Sequence, residues 1–199
     1  MKFVPRSENT RQRIIELTAE LFNKKGALGT SVSDVEKATG MTRGSIYGNF
    51  PNKDAVALAV FDYNWGRKRE LLFEGADRQN TYKNKLLAHI LLHHPSAKTA
   101  FTPGGCPLIN TVAESDDTNT LLRNKAATAL LAWTNHLVEL VEQGIDANEF
   151  KAGTDGLNIA LQMISFIEGA SLFFRSTQDM KYVNRLLDSA KKVIDDICV

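Results

Sequence analysis

Residues Thr30–Val60 read TSVSDVEKATGMTRGSIYGNFPNKDAVALAV. Two short helical runs, about Ser33–Thr39 and Arg43–Phe50, are parted by Gly40-Met41-Thr42, and Pro51 closes the second. Asn52 is placed to cap a further helix opening at Lys53. Two short helices around a tight glycine turn form the helix-turn-helix pattern, whose second helix enters the major groove of DNA. Val32, Val35 and Ala38 face inward from the first helix, and Met41 and Ile46 complete a small core. Gly40 supplies the positive φ that the turn needs.

The polar residues of this stretch suit a duplex. Ser31 and Ser33 stand near the start of the first short helix, where hydroxyls and free backbone N–H groups fit a phosphate oxygen. Thr42 caps the second helix, and Thr42, Arg43, Gly44 and Ser45 form the turn that reaches base edges in this docking mode. Arg43 can pair bidentately with guanine. Gly44 lets the backbone come close, and Tyr47 carries a hydroxyl on a rigid ring suited to phosphate. Asn49 belongs to the same candidate set, and Lys53 adds a charge to a positive helix N-terminus.

The 199 residues carry a net charge of only +1, which identifies no partner. Its distribution is uneven. Residues 1–53 hold nine Lys/Arg against five Asp/Glu, a basic front on a slightly acidic body, as suits one face meeting phosphate. Apolar and charged contents are ordinary for a globular chain, and the length buries a core without staples. No apolar run approaches the ~20 residues that a membrane span needs. The start, MKFVPRSENTRQR, lacks the apolar segment of a secretory signal, so a cytoplasmic setting is expected. The two cysteines, Cys106 and Cys198, are a poor basis for a disulfide, and Cys198 sits where a terminus frays.

Outward from the quoted stretch, the pattern is helical almost throughout. A helix over about Asn9–Lys25 carries Ile14, Leu17, Leu21 and Phe22 on one face and stops at Gly26. Helices follow over about Lys53–Phe73, Thr81–His94, Pro107–Ser115, Thr118–Gln143, Thr154–Arg175 and Lys181–Ile197, with a loop over Pro95–Pro107. The fold class is therefore all-α, with about nine helices and no strand signal. The penultimate helix is apolar on more than one side, through Leu157, Leu161, Ile164 and Ile167 together with Ile159, Ala160, Met163, Phe166 and Ala170. Such a helix buries two faces, in a subunit interface or in a larger monomer core.

The order and spacing of Thr30-Ser31-Val32, the glycine turn, Gly44-Ser45-Ile46-Tyr47, Phe50 and Lys53-Asp54-Ala55 resemble the DNA-binding domain of the TetR family of bacterial regulators. The likeness covers about 50 residues, to about Val60. The family often has aromatic or histidine residues between Tyr47 and Phe50; this chain has Gly48 and Asn49, and a glycine late in a helix costs up to ~1 kcal/mol. The resemblance implies a helix-turn-helix domain over residues 1–53 and a ligand-binding and dimerisation domain over residues 54–199. It implies a homodimer through the last two helices, a palindromic double-stranded DNA operator, and a small-molecule inducer, with no cofactor. A repressor and an activator would share this module.

The resemblance also implies a cavity bounded by helices between Lys53 and Arg175. Trp65, His89, Phe101, Trp133, His136, Phe166 and Phe173 are large and central, though such residues are more often core than pocket lining. Glu168 lies in an apolar stretch, where a buried carboxylate needs a partner. Cys106, after Gly104-Gly105 and before a helix, resembles the reactive cysteine of family members that sense electrophiles and oxidants, with Glu114 later in the same helix; it also reads as a small cysteine packed beneath the loop. His89 and His93 have the i, i+4 spacing of metal ligands, but no third ligand accompanies them, and no metal is expected. No nucleophile–base pair or phosphate loop points to an enzyme.

Overall fold

The computed structural model describes residues 6–94 and 103–199. Among these residues the chain forms nine helices: α1 (Arg6–Gly29), α2 (Val32–Thr39), α3 (Arg43–Tyr47), α4 (Lys53–Asp77), α5 (Tyr82–Leu91), α6 (Pro107–Ser115), α7 (Thr120–Asp146), α8 (Gly156–Thr177) and α9 (Met180–Ile197). Most begin at a side-chain cap that accepts an otherwise unpaired N–H: Ser31, Thr42, Thr81, Asp155 and Asp179. Asn52 does the same for α4, accepting from the Ala55 N–H at 2.8 Å.

Packing divides the chain into two compact units: residues up to 67 with 103–127, and residues 68–94 with 128–199. This grouping differs from the cut expected after Lys53. α4 opens at Lys53 and runs on unbroken to Asp77, and α6 packs with α1.

In the first unit, α1 buries Ile14, Ile15, Thr18, Ala19 and Phe22. Leu17, expected on that face, is exposed, because burial follows Ile15 and Thr18 on the adjacent turn instead. Gly26 breaks α1 with φ 74, and the chain resumes one further helical turn to Gly29, so the helix ends later than its glycine suggested. The short helices α2 and α3 pack on one another, and Val35, Ile46 and, just after α3, Phe50 are all essentially inaccessible.

In the second unit, α7 buries Ala129, Trp133, Leu137 and Leu140, and α8 packs on α9. By length and composition α8 alone, among the described residues, is apolar enough to cross a membrane, which its interspersed polar residues concealed in the sequence. Its apolar side chains divide between two faces. Ile159, Ala160, Met163, Ile164, Ile167 and Ala170 are buried, whereas Leu157, Leu161, Leu172 and Phe173 are exposed in the single chain. The C-terminus is pinned rather than frayed: the Lys151 N–H donates to the Ile197 carbonyl at 2.9 Å and the Val199 N–H to Glu149 at 3.2 Å.

Candidate nucleic-acid interface

The helix-turn-helix is held by its own caps. The Ser31 hydroxyl accepts from the Asp34 N–H at 3.1 Å, and the Asp34 carboxylate accepts from the Ser31 N–H at 2.9 Å, a reciprocal capping box. Lys25 adds an ion pair to Asp34 at 3.0 Å. These bonds, that from the Ser31 backbone first, hold the Asp34 carboxyl well below the usual carboxylate range. Ser31 also donates its own proton to Asp34 at 2.8 Å. The N-terminus of α2 thus already carries an anion, and the Ser31 hydroxyl is engaged in capping, where a phosphate anchor was expected. Ser33 is exposed.

Gly40 closes α2 in the left-handed region, φ 67 and ψ 16, with its N–H donating to the Glu36 carbonyl. Thr42 then caps α3, accepting from the Ser45 N–H at 3.3 Å. Arg43, Gly44 and Ser45 follow on an exposed turn. A side chain at Gly44 would meet nothing within 4 Å, so the fold itself does not require glycine there. The Arg43 guanidinium lies over the Tyr47 ring at 5.9 Å, one turn apart on the helix surface.

α3 is shorter than expected and ends at Tyr47 rather than Phe50. Gly48 caps it with φ −71, and Asn49 folds back so that its amide donates to the Ser45 carbonyl at 2.8 Å. The Asn49 amide nitrogen therefore closes the recognition helix instead of reaching outward. Arg11, which sequence reasoning missed, clamps this end: its guanidinium donates to the Asn49 carbonyl at 3.0 Å and lies 4.0 Å above the Phe50 ring. The partners are 38 residues apart, and no local pattern links them.

Lys53 has a structural task. Its ammonium donates to the Ala27 carbonyl at 2.6 Å and the Thr30 carbonyl at 2.8 Å, acceptors in and just after the last turn of α1. On the donor side of the same turn, the Glu114 carboxylate accepts from the N–H groups of Ala27, at 2.9 Å, and Leu28. The loop before α6 is strapped to α1 as well. The Asn23 amide donates to Pro103 at 2.8 Å and Gly105 at 3.0 Å, and the Asn110 amide donates to Gly104 at 2.8 Å. Gly104, with φ 97, sits so close to α1 that an added Cβ would lie 2.8 Å from the Asn23 carbonyl oxygen. The two glycines thus seat this loop; they do not open Cys106, which is only 5% exposed at the N-cap of α6.

The candidate effector residues separate. Trp65 and Cys106 belong to the first unit, and Phe101 lies outside the described residues. Phe173 is exposed and stacks on Tyr182 at 5.4 Å, and Phe166 is half-buried on α8. His89, Trp133, His136 and Glu168 belong to the second unit, with Lys68 and His93 among them. The Trp133 indole N–H donates to His89 Nδ1 at 3.3 Å, and His136 lies 5.4 Å from His89 and stacks on Phe73 at 3.8 Å. The His93 ring stacks on Trp133 at 5.6 Å, and the Lys68 ammonium lies over the same indole at 5.9 Å and 3.7 Å from Glu168. Burial pushes His89 down to about 3, with His136 adding to it. Burial, then the Lys68 charge, holds His93 well below the ordinary histidine value. Among the described residues no three such side chains form a metal cage.

Known proteins share this architecture. Residues 14–60 match the family described as bacterial regulatory proteins, tetR family, and residues 83–190 match the tetracyclin repressor-like C-terminal domain. A TetR-family regulator from Cytophaga hutchinsonii superposes with a TM-score of 0.95 at 45% identity, over 100% of this chain and 99% of that one. A TetR regulator from Chloroflexus aurantiacus gives 0.89 at 30% identity, over 96% and 97%. The fatty acid metabolism regulator protein of Bacillus subtilis is 30% identical over 153 residues, 76% of each chain. The chain belongs to the TetR family of bacterial transcriptional regulators, which act on DNA and are not enzymes.

Proposed function

We propose that the chain is a cytoplasmic homodimeric repressor that leaves a palindromic operator when its body takes up a small molecule. Residues 1–53 are the DNA-reading module, and residues 54–199 sense and dimerise. The observation that carries the DNA-reading assignment is the exposed turn Thr42–Ser45, capped from behind and bearing an arginine and a glycine that the fold does not itself require. Arg43 reads a base edge, Gly44 allows the approach, and Tyr47 with the remaining N–H of Lys53 meets phosphate. Ser33, Thr42 and Ser45 add hydroxyl contacts.

The dimer reading is supported by α8. Leu157, Leu161, Ser165, Gly169 and Leu172 follow one another at three- or four-residue steps on one face, and the three leucines are exposed in the single chain. The small, exposed Ser165 lets a second helix approach closely. Two such heads, one helical turn of DNA apart (~34–36 Å), fit a two-fold operator. A reactive-cysteine trigger is the weaker reading, since Cys106 is buried.

The direction of control is tested by deleting the gene and measuring transcripts of its neighbours. A rise in those whose upstream DNA the protein footprints supports repression. A fall replaces it with activation by the same module.

A further inference from the structure

The second unit buries more polar chemistry than its own side chains satisfy. Among the described residues, both Glu168 oxygens and the Nε2 atoms of His89, His93 and His136 have no hydrogen-bond partner. Glu168 is 8% exposed, His93 8% and His89 0%. A buried polar atom left in this condition is costly, so several in one place need an explanation.

The neighbouring bonds fix what each atom offers. His93 Nδ1 lies 2.6 Å from the His89 carbonyl, which can only accept, so that nitrogen carries the proton and Nε2 is a bare acceptor. His89 Nδ1 accepts from the Trp133 indole, so in the neutral ring Nε2 carries the proton and is a donor. The lowered basicity of both histidines, from burial, keeps them neutral at pH 7. Glu168 offers acceptors only. Trp133 and Phe73 supply aromatic surface among these groups.

Charge narrows the choice of ligand. Lys68 and Glu168, 3.7 Å apart and both buried, balance one another. An anionic ligand reaching Lys68 meets Glu168, and a cationic ligand reaching Glu168 meets Lys68. A neutral hydroxyl avoids both penalties, since one oxygen donates and accepts at once. The cavity beside Phe22, Asn64 and Glu114 in the first unit, about 30 Å³, has room for little more than a water molecule and offers no rival site.

We infer that Glu168, His89 and His93, with Lys68, Trp133 and His136 around them, form a binding site for an uncharged, hydroxyl-bearing aromatic molecule. The hydroxyl donates to Glu168 or His93 Nε2 and accepts from His89 Nε2–H. This rests on the reading that the chain answers to a small molecule, and it names that molecule's class.

The test uses three ring compounds of matched size on the full-length protein: benzyl alcohol, benzoate and benzylamine. Binding is followed by tryptophan fluorescence and by Tm, and operator binding is measured in parallel. Benzyl alcohol is expected to bind at millimolar concentration and raise Tm, with the two charged analogues at least tenfold weaker. Glu168→Gln and His93→Phe are each expected to weaken benzyl alcohol about tenfold. If one variant fails to fold, the other carries the comparison. Preference for either charged analogue, no binding of any, or unchanged binding in a folded variant overturns the site. Loss of operator binding by the wild type without ligand counts instead against the regulatory reading. Tight benzyl alcohol binding with operator affinity unchanged leaves the site standing and removes its control of DNA.

Discussion

The carboxylate of Glu114 occupies the space that a side chain at Gly26 would need, and from there it accepts the N–H groups of the next two residues, Ala27 and Leu28. Lys53 takes the Ala27 and Thr30 carbonyls of the same turn. The break at the end of α1 is therefore satisfied from both sides, by α6 and by α4. The helix-turn-helix is suspended directly after it, so the position of α2 depends on this junction.

Gly26→Ala is expected to destabilise the protein by about 2–3 kcal/mol, from positive φ and from displacement of Glu114. Glu114→Ala is expected to cost a similar amount by leaving two N–H groups unpaired. Urea unfolding of the double variant checks the linkage: its loss should fall short of the sum of the singles, because both act on one contact.

Arg43→Ala and Lys53→Ala should separate. Arg43→Ala leaves Tm unchanged and removes ~1–3 kcal/mol of discrimination at one operator position. Lys53→Ala weakens all sequences together and also lowers stability by about 1 kcal/mol, because two carbonyls lose a donor. Operators with single base changes, titrated against both variants, show the difference.

Acid should loosen the second unit. His89 and His93 have folded values far below the unfolded value of about 6.5, so the unfolded chain binds more protons as pH falls. Stability is therefore highest above about pH 6.5 and declines as pH falls from there toward the folded values, near 3 for His89. Each histidine contributes a slope of up to about 1.4 kcal/mol per pH unit. His89→Phe should flatten the curve; an unchanged slope would contradict the assignment.

Leu161→Arg on the exposed stripe of α8 should give a folded monomer by light scattering and lower operator affinity at least tenfold. Retained dimerisation would move the interface elsewhere.

Much of this was legible in the chain. The helix-turn-helix, the Thr42 and Asn52 caps and the left-handed Gly40 follow from local chemistry, and so does the span of α6. Arg11, Glu114 and Lys53 acquired their tasks only in three dimensions, from partners 38, 86 and 26 residues away. Asn49 and Ser31, expected at DNA, also take partners within the chain, for a related reason. A side chain that suits DNA also suits a nearby carbonyl or N–H, and the intramolecular partner was closer. Gly104, two residues before Cys106, marks a close approach of loop to helix that no local pattern announces.

That the basic head reads a specific operator through α3 is a prediction. It is tested most directly by fluorescence anisotropy with the gene's own upstream DNA and a scrambled duplex, each at two salt concentrations. The expected result is strong preference for the upstream DNA, with log K falling linearly against log salt as phosphate contacts release counterions. Equal binding to both duplexes, or affinity indifferent to salt, would contradict it.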